Sequence, residues 1–373
     1  MMNEKRLLAE FLELVQTDSQ TGDEREICDL LTKKLTELGF DVVEDDSARV
    51  TGHGSGNLIA TLAPTQENTS RIYFTAHMDT VAPGKGVQPS LQEGYVVTDG
   101  TTTLGADDKA GLAAMLEGVR SLQEQKLPHG QIQFIITAGE ESGLVGAKNL
   151  DHSFVQADYG FAIDSNGPVG QIYNSAVAKA SLFATIIGKP AHAGVNPEDG
   201  KSAIEVACRA IAHMKLGRID DETTANVGKY DGGTAMNVVA ERVELVAEAR
   251  SRNNEKLQAQ LDHMVTTIEK TALSMGVRAD IDVHNMYSAY SFSEQDEVVQ
   301  KAIAAVKEIG RTPELKASGG GSDANVIASL GIPTVNLGIG YEEIHTTNER
   351  MPVQELVKAA ELVLALIKGA SNK

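Results

Sequence analysis

Tryptophan is absent from this 373-residue chain, and aromatic residues make up only 4% of it. A protein with so few aromatic rings is poorly equipped to stack nucleotide bases. Basic side chains are also the minority, because 33 lysines and arginines stand against 52 aspartates and glutamates and leave a formal net charge of -19. Such a charge repels a phosphate backbone or an anionic membrane. The composition therefore predicts neither a nucleic-acid partner nor a membrane partner.

Cysteine occurs only twice, as Cys28 and Cys208, and neither belongs to a CxxC pair. Small secreted domains rely on a dense set of disulfides, which this chain lacks. It also has no run of the roughly 18 apolar residues that a membrane-spanning helix needs. The opening residues, MMNEKRLLAEFLELVQ, lack the apolar core of a signal peptide. These absences favour a protein of the reducing cytoplasm.

Apolar residues are plentiful, at 42% of the chain, and they fall in short segments. Both ends show the spacing of amphipathic helices, in Leu8, Phe11, Leu12 and Val15 and again over residues 353–367. Other apolar runs lack strict alternation, as is typical of strands covered by helices on both faces. These runs are 57–63, 71–77, 132–138, 159–164 and 333–340. The pattern predicts an α/β fold in which a mixed or mostly parallel sheet lies between helices.

The middle of the chain has a different pattern. Strand-like segments at 179–188, 236–251 and 278–287 enclose helical patterns at about 201–215 and 254–275. This order is close to β-α-β-β-α-β, the arrangement of a ferredoxin-like α+β unit. A chain of this length also favours two domains. We therefore predict a discontinuous catalytic domain, residues 1–175 and 289–373, and an inserted domain, residues 176–288.

Histidines and carboxylates recur where predicted strands end. Taken singly, each has an ordinary explanation, such as a local polar contact or an aspartate that caps a helix. Taken together they fall at the carboxyl ends of strands, where open α/β sheets build their sites. The set comprises His77 and Asp79, Asp107 and Asp108, Glu140 and Glu141, Asp164, and His345. Their shared position predicts one functional site.

The chemistry of this set indicates metal ions. Two histidines with three or four carboxylates and no thiolate suit Zn²⁺, Mn²⁺ or Co²⁺. The ligands are too many for one tetrahedral ion that keeps an open position. Two ions about 3.5–4 Å apart, sharing a carboxylate and a water, use all of them. The sequence thus predicts a site for two divalent cations of the zinc, manganese or cobalt type.

The ordered motifs also resemble those of a known family. The segments HMDT, GADDKAG and GEE, a strand-ending aspartate and a late histidine are similar to those of the dinuclear zinc exopeptidases. That family includes peptidase T, bacterial carboxypeptidase G, succinyl-diaminopimelate desuccinylase and carnosinase. The likeness spans residues 3–370, and the overall pattern is most similar to peptidase T-like members. It implies a zinc exopeptidase fold of the phosphorylase/hydrolase type and the hydrolysis of amide bonds.

The resemblance also implies how the metal ligands divide. One ion would be held by His77, Asp107 and Asp164. The other would be held by Glu141, His345 and the same Asp107, which would bridge the two ions.

Further roles follow from the same resemblance. Glu140 would be the general base, and Asp79 would orient His77. The peptide bond between Asp107 and Asp108 would be cis.

The inserted domain would contribute substrate contacts. By resemblance, His192 in 190-PAHAG-194 would reach the substrate carbonyl across the interface of a homodimer formed by this domain. Asn237 and Arg250 match positions that bind the polar ends of the substrate, and an arginine fork suits a carboxylate. The glycine cluster with Gly320 and Gly321 resembles a loop that lines the substrate.

Two other functions compete with a peptidase. The segment 194-GVNPEDGKS-202 is similar to a phosphate-binding loop, but five residues instead of four separate its glycines, and Pro197 removes an amide. Its acidic residues would also repel phosphates, so nucleotide binding is disfavoured. A metal-binding scaffold without catalysis is the other alternative, and the presence of Glu140 argues against it.

Within the peptidase interpretation, the end of the substrate that is cleaved stays open. The peptidase T-like pattern favours an aminopeptidase acting on di- and tripeptides. The PAHAG loop is closer to the carboxypeptidases, dipeptidases and N-acyl amino acid deacylases of the family. The expected substrate is therefore a short peptide, with an acylated amino acid as the alternative.

Overall fold

The structure, a computed structural model, describes residues 2–371. The chain divides into two compact units, each described separately below. The first unit comprises Met1–Ser175, Phe292–Ala317 and Ser322–Lys373. The second comprises Ala176–Ser291 together with the short segment Ser318–Gly321.

The helices are numbered in chain order. They are α1 (Glu4–Gln16), α2 (Arg25–Glu37), α3 (Ala48–Thr51), α4 (Ala106–Glu124), α5 (Val145–Lys148), α6 (Ala203–His213), α7 (Asn254–Ser274), α8 (Glu297–Glu308), α9 (Asp323–Ser329) and α10 (Val353–Ser371). Within residues 2–371, none of them combines the length and the hydropathy that crossing a membrane requires.

The strands are numbered in the same way. They are β1 (Asp41–Glu44), β2 (Leu58–Leu62), β3 (Ile72–His77), β4 (Ser90–Gln92), β5 (Tyr95–Val97), β6 (Ile132–Thr137), β7 (Tyr159–Ser165), β8 (Gln171–Ala176), β9 (Ala178–Ile187), β10 (Gly217–Arg218), β11 (Thr223–Gly232), β12 (Arg242–Ser251), β13 (Arg278–Tyr287), β14 (Tyr290–Ser291), β15 (Glu314–Ser318), β16 (Thr334–Gly338) and β17 (Met351–Pro352).

The first unit is built on a mixed sheet in the order β1-β2-β6-β3-β7-β16-β8, with β15 beside β8. Strands β6, β3, β7 and β16 run parallel at its centre, whereas β1, β2 and β8 pair antiparallel. Every residue of β3 and β6 is buried, which explains why these segments are mostly apolar and lack strict alternation. The predicted α/β fold is confirmed.

Both faces of this sheet are covered. Because side chains alternate along a strand, Phe74 packs in the large cluster with α1, α4 and α10, and Tyr73 joins a smaller cluster on the other face. Helix α4 packs against α1 and α10, and it is buried on nearly all sides. The sheet therefore lies between layers that fix the positions of its strand ends.

The second unit is an antiparallel sheet in the order β10-β11-β12-β9-β13, with α6 and α7 packed against it. Its core includes Leu182, Val206, Leu245 and Met264. The succession β9-α6-β11-β12-α7-β13 has the expected ferredoxin-like order.

One strand of the second unit differs from the prediction. The segment 236–251 is not a single strand, because β12 begins only at Arg242, and the missing strand is β11. Its sequence, TTANVGKYDG, is mostly exposed beyond Ala225, so no apolar pattern marks it. The ladder with β12 nevertheless holds it in place along its length.

Candidate metal centre

The candidate residues of the first unit converge at one edge of the sheet. His77 ends β3, Asp164 lies near the end of β7, and Glu140 and Glu141 follow β6. His345 lies in the loop after β16 and has a left-handed backbone, with φ of 61°. Because the parallel strands end at the same edge, these residues come together even though they lie far apart in the sequence.

Asp107 enters the site from the start of α4. The residues Asp107 and Asp108 have non-helical backbone angles, and the peptide bond between them is cis. The side chain of Asp107 reaches both histidines: Oδ1 lies 3.1 Å from His77 Nε2, and Oδ2 lies 3.3 Å from His345 Nε2. Its two oxygens therefore face two different imidazoles.

His77 is almost fully buried among carboxylates. Its Nε2 lies 3.9 Å from Asp164 Oδ1, and its Nδ1 lies 2.9 Å from the backbone carbonyl of Asp79. Burial lowers the pKa of His77, but the carboxylates of Asp107 and Asp79 outweigh it and hold the pKa well above the ordinary value.

His345 faces the second group of carboxylates. Its Nε2 lies 2.8 Å from Glu141 Oε1, and the neighbouring Asp107 and Glu141 raise its pKa to about 10. Glu141 Oε1 is buried and forms an ion pair with the protonated form of His345, although the contact does not have hydrogen-bond geometry. The same oxygen could instead bind a cation.

Three overlapping groups bring their ligand atoms within 4.8 Å of one another. They are His77, Asp107 and Asp164; Asp107, Glu141 and His345; and His77, Glu140 and Glu141. The first two share Asp107, and all their ligand atoms are oxygens or imidazole nitrogens. The donor set therefore fits two divalent ions of the zinc, manganese or cobalt type.

Buried carboxyl groups give the site excess negative charge. Burial raises the pKa of Glu140 and of Asp164 well above ordinary values, and neighbouring carboxylates add to the shift in both. Asp323, at the start of α9, has a pKa raised to about 6 by burial, although the Thr137 hydroxyl donates a hydrogen bond to it. Proximity of divalent cations would reverse these shifts.

The Asp79 carboxylate has other partners besides His77. Its carboxylate lies 3.5 Å from His77 Nδ1, whereas its own backbone carbonyl makes the closer contact. The carboxylate accepts hydrogen bonds from the backbone amides of Glu140, at 3.0 Å, and Glu141, at 3.3 Å, and from the Thr21 hydroxyl at 2.8 Å. Asp79 therefore fixes the turn that carries the two glutamates as well as the histidine.

Sequence reasoning missed two supporting residues. The buried Glu349 carboxylate accepts hydrogen bonds from the amides of Leu104, Gly105 and Asp107, and burial raises its pKa to about 7. Tyr341 donates its hydroxyl hydrogen bond to Asp164 at 3.1 Å. The available signal was their position beside His345, in 341-YEEIHTTNE-349.

The candidates in the second unit form two local pairs. The Asn237 carbonyl accepts a hydrogen bond from the Ala193 amide at 2.9 Å, and His192 forms a bridge with Val238, so His192 and Asn237 are neighbours. Both are exposed. Arg250 is held by Glu248 at 2.9 Å and donates to the Gly319 carbonyl at 3.1 Å.

Close packing requires glycine at one position of the adjoining loop. At Gly321, a Cβ atom would lie 2.2 Å from the Tyr287 ring, whereas Gly320 is unobstructed apart from Ser318 Oγ at 3.9 Å. The glycine cluster therefore lies against β13 and next to Arg250.

Comparison with known proteins identifies the class to which this fold and site belong. The family model Peptidase family M20/M25/M40 matches residues 73–369. The chain belongs to this family of peptidases, as the motifs predicted.

Three solved structures are similar to this chain over nearly its whole length. The crystal structure of aminopeptidase PepT from Bacillus cereus is 58% identical, with a TM-score of 0.97 and complete coverage of both chains. A tripeptidase from Staphylococcus aureus is 48% identical, with the same TM-score and coverage. A Bacillus subtilis protein described as a dinuclear metal-binding peptidase shares the fold at 18% identity and a TM-score of 0.75, over 99% of both chains.

Metal uptake should depend on pH in a defined direction. Because the pKa of His345 is raised from 6.5 to about 10 in the metal-free protein, its imidazole is protonated at pH 7 and must lose the proton to bind a metal. We expect the affinity for Zn²⁺ to rise with pH up to about pH 10, and binding at pH 7 to release protons from His345 and from the other ligands whose pKa is raised, His77 and Asp164. Calorimetry in buffers of different ionisation enthalpy measures this release, and buffer-independent heats would contradict it.

Proposed function

We propose that this peptidase is an aminopeptidase that removes the first residue from di- and tripeptides, using two divalent cations, with zinc as the metal. The observation that carries the proposal is the end-to-end likeness to proteins named aminopeptidase PepT and tripeptidase, at 58% and 48% identity. The two ligand groups that share Asp107 support the dinuclear part.

The ligand groups suggest the division of metals. His77, Asp107 and Asp164 would hold one ion, and Glu141, His345 and the shared Asp107 would hold the other. When bound, such ions supply a water of lowered pKa and positive charge for the developing oxyanion.

Glu140 is the proposed general base. It would take a proton from the attacking water and return it to the leaving amine, as a carboxylate within reach of that water can do. Its backbone amide donates a hydrogen bond to Asp79, which fixes the position of the residue. Among the acidic side chains that are not proposed metal ligands, Glu140 is therefore the best placed for proton transfer.

The charge of the site favours a free amine at the substrate end. Asp107, Asp164, Glu140, Glu141 and Asp323 supply up to five negative charges, one more than two divalent cations neutralise. The negative charge that the cations leave unneutralised would attract a substrate ammonium group, whereas it would repel a substrate carboxylate.

Residues of the second unit are proposed to bind the rest of the substrate. His192 would polarise the scissile carbonyl, and Asn237, Arg250, Gly320 and Gly321 would hold polar ends of the peptide. The neighbouring positions of His192 and Asn237, and the contact of Arg250 with the glycine loop, support this assignment.

Assembly and location are also part of the proposal. A homodimer formed through the second unit would let His192 act across the interface, and sedimentation in solution tests it. A cytoplasmic location is supported by Cys28 and Cys208, which are both unpaired.

Replacing His192 with alanine should slow hydrolysis and leave metal content unchanged, because His192 belongs to none of the three ligand groups. Loss of one oxyanion donor typically costs about 10²-fold in kcat. Steady-state kinetics and elemental analysis of the variant measure the two effects. Kinetics equal to the wild type would make His192 a structural residue.

The direct test is hydrolysis of a matched panel by protein reconstituted separately with Zn²⁺, Co²⁺ and Mn²⁺. The panel contains a free tripeptide, its N-acetyl form, its C-terminal amide and an N-acetyl amino acid. Release of the first residue from the free tripeptide and the amide, but not from acetylated substrates, would establish the aminopeptidase.

A second candidate is a carboxypeptidase, dipeptidase or N-acyl amino acid deacylase. It is favoured by Arg250, a half-buried guanidinium whose planar fork suits a substrate carboxylate. Cleavage that tolerates the acetyl group and requires the free carboxylate would select this candidate and make Arg250 its specificity residue.

A further inference from the structure

Glu24 and His53 form a pair outside the proposed ligand set, and the His53 side chain is 12% exposed. Glu24 is fully buried, and its Oε1 lies 2.8 Å from His53 Nδ1. The same oxygen accepts the Gly22 amide at 2.7 Å, and Oε2 accepts the Gly54 amide at 2.9 Å. With its carboxylate fully engaged, Glu24 fixes the orientation of the imidazole and leaves Nε2 free to face elsewhere.

The other edge of the His53 ring faces the turn of residues 139–142. His53 Nε2 lies 3.4 Å from Ser142 Oγ, and the Ser142 hydroxyl also donates to the Gly139 carbonyl at 3.0 Å. A Cβ atom on Gly139 would lie 2.3 Å from His53 Cε1, and Gly139 has a φ of +68°. The ring therefore packs directly against the backbone of this turn.

This turn carries Glu140 and Glu141, and it has no regular secondary structure. Asp79 holds both of their amides, as described above. Thr21 anchors the Asp79 carboxylate, and Glu24 anchors His53. Both groups that contact the turn are therefore held by residues of one short segment, 21–24.

We propose that His53, held by Glu24, is a positioning residue that sets the 139–142 turn so that Glu140 and Glu141 point into the metal centre. The inference rests on the proposed function of Glu140 and Glu141. His53 itself belongs to none of the proposed ligand groups, and it acts through Gly139 and Ser142.

The test compares His53→Ala with His129→Ala. His129 is a matched control because it is another largely shielded histidine of the first unit, with Nδ1 bound to the Gly130 carbonyl at 2.7 Å, and it lies at the opposite end of β6 from the 139–142 turn. Both variants lose a largely shielded imidazole and should lose similar thermal stability. Only His53→Ala should weaken Co²⁺ binding, by about 10-fold or more, as loss of a supporting residue of a metal ligand does.

Kinetics provide the second measurement. With saturating metal, His53→Ala should lower kcat by about 10-fold with little change in KM, because the base is misplaced and the substrate contacts are not. His53→Asn, whose amide can replace the bond from Nδ1 to Glu24, should recover part of both losses. If His53→Ala matched His129→Ala in Co²⁺ affinity and in kcat, the positioning role would be excluded.

Two precautions keep the result interpretable. If His53→Ala does not fold, Ser142→Ala is the alternative variant, because it removes only the exposed hydroxyl that faces the ring. It should show a smaller loss in kcat and in Co²⁺ affinity. Wild-type values for Ser142→Ala would count against the proposal. If the wild type binds Co²⁺ and hydrolyses no member of the panel, the proposed function fails. In that case the Co²⁺ titrations still test whether His53 positions Glu141.

Discussion

Replacing Glu140 with alanine is expected to lower kcat by at least about 10²-fold while the protein keeps its full complement of metal. The reason is that Glu140 is the buried carboxyl group proposed to transfer protons, and neither ligand group that shares Asp107 includes it. Steady-state kinetics on the free tripeptide and elemental analysis after dialysis measure the two quantities.

The structure itself provides the competing explanation for Glu140. A third group of ligand atoms contains Glu140 together with His77 and Glu141, so Glu140 is also within reach of a metal-binding role. If Glu140 were a ligand, the variant would lose metal in parallel with activity. If turnover stayed near the wild-type value, Glu140 would have no part in the mechanism.

Glu141→Ala is the matched control for this prediction. The two glutamates are adjacent, both amides are bound by Asp79, and both carboxyl groups are shielded from solvent. Glu141 is expected to hold the ion beside His345, so its removal should reduce metal content as well as activity. If Glu140→Ala keeps its metal and Glu141→Ala loses metal, Glu140 is the base and Glu141 is the ligand.

The assembly of the site could be predicted from the sequence because it depends on one simple rule. Parallel strands end at the same edge of a sheet, so His77 after β3, Asp164 in β7 and the glutamates after β6 had to lie near one another. The apolar runs that mark these strands are strong because β3 and β6 are buried on both faces.

The supports of the site could not be predicted in the same way. The three amide hydrogen bonds of Glu349 and the contact of His53 with Gly139 depend on loop conformations, for which residue spacing gives no rule. The Asp79 carboxylate was expected to orient His77, and its bonds to the amides of residues 140 and 141 were not foreseen.

Helix and strand patterns were incomplete in two places. The amphipathic helix α1 is present, and Leu8 and Leu12 pack partly buried against the core as the spacing predicts, but Leu7 and Leu14 are the residues buried beside Phe11 and Val15. Strand β11 was missed because its exposed residues are polar, and its position depends on pairing with β12.

Replacing Asp107 with asparagine is expected to abolish binding of both metal ions, because this is the one residue common to both ligand groups. Its two oxygens approach His77 and His345 separately, at 3.1 Å and 3.3 Å, so a neutral amide would remove an anionic ligand from each ion. We expect metal affinity to fall by more than the roughly 10–100-fold that supporting residues cost. Activity should fall by about 10³-fold, since metals contribute several kcal/mol to transition-state stabilisation.

Asp108→Asn is the matched control for this prediction. Asp108 is equally shielded and is the next residue in the chain, but it belongs to none of the three ligand groups. Burial raises the pKa of its carboxyl group well above the ordinary value, so an amide resembles the form already present. An asparagine oxygen can also accept the Gly111 amide, as Oδ1 now does at 3.3 Å. Asp108→Asn should therefore bind two metal ions per chain.

Asp164→Asn completes the series, because Asp164 belongs to only one of the two groups that share Asp107. We expect this variant to lose one ion per chain and keep the ion beside Glu141 and His345. Elemental analysis of the three variants would then give no ions, two ions and one ion per chain. If Asp107→Asn and Asp164→Asn each kept one ion, Asp107 would serve a single metal, and the bridging arrangement on which the dinuclear proposal depends would be wrong.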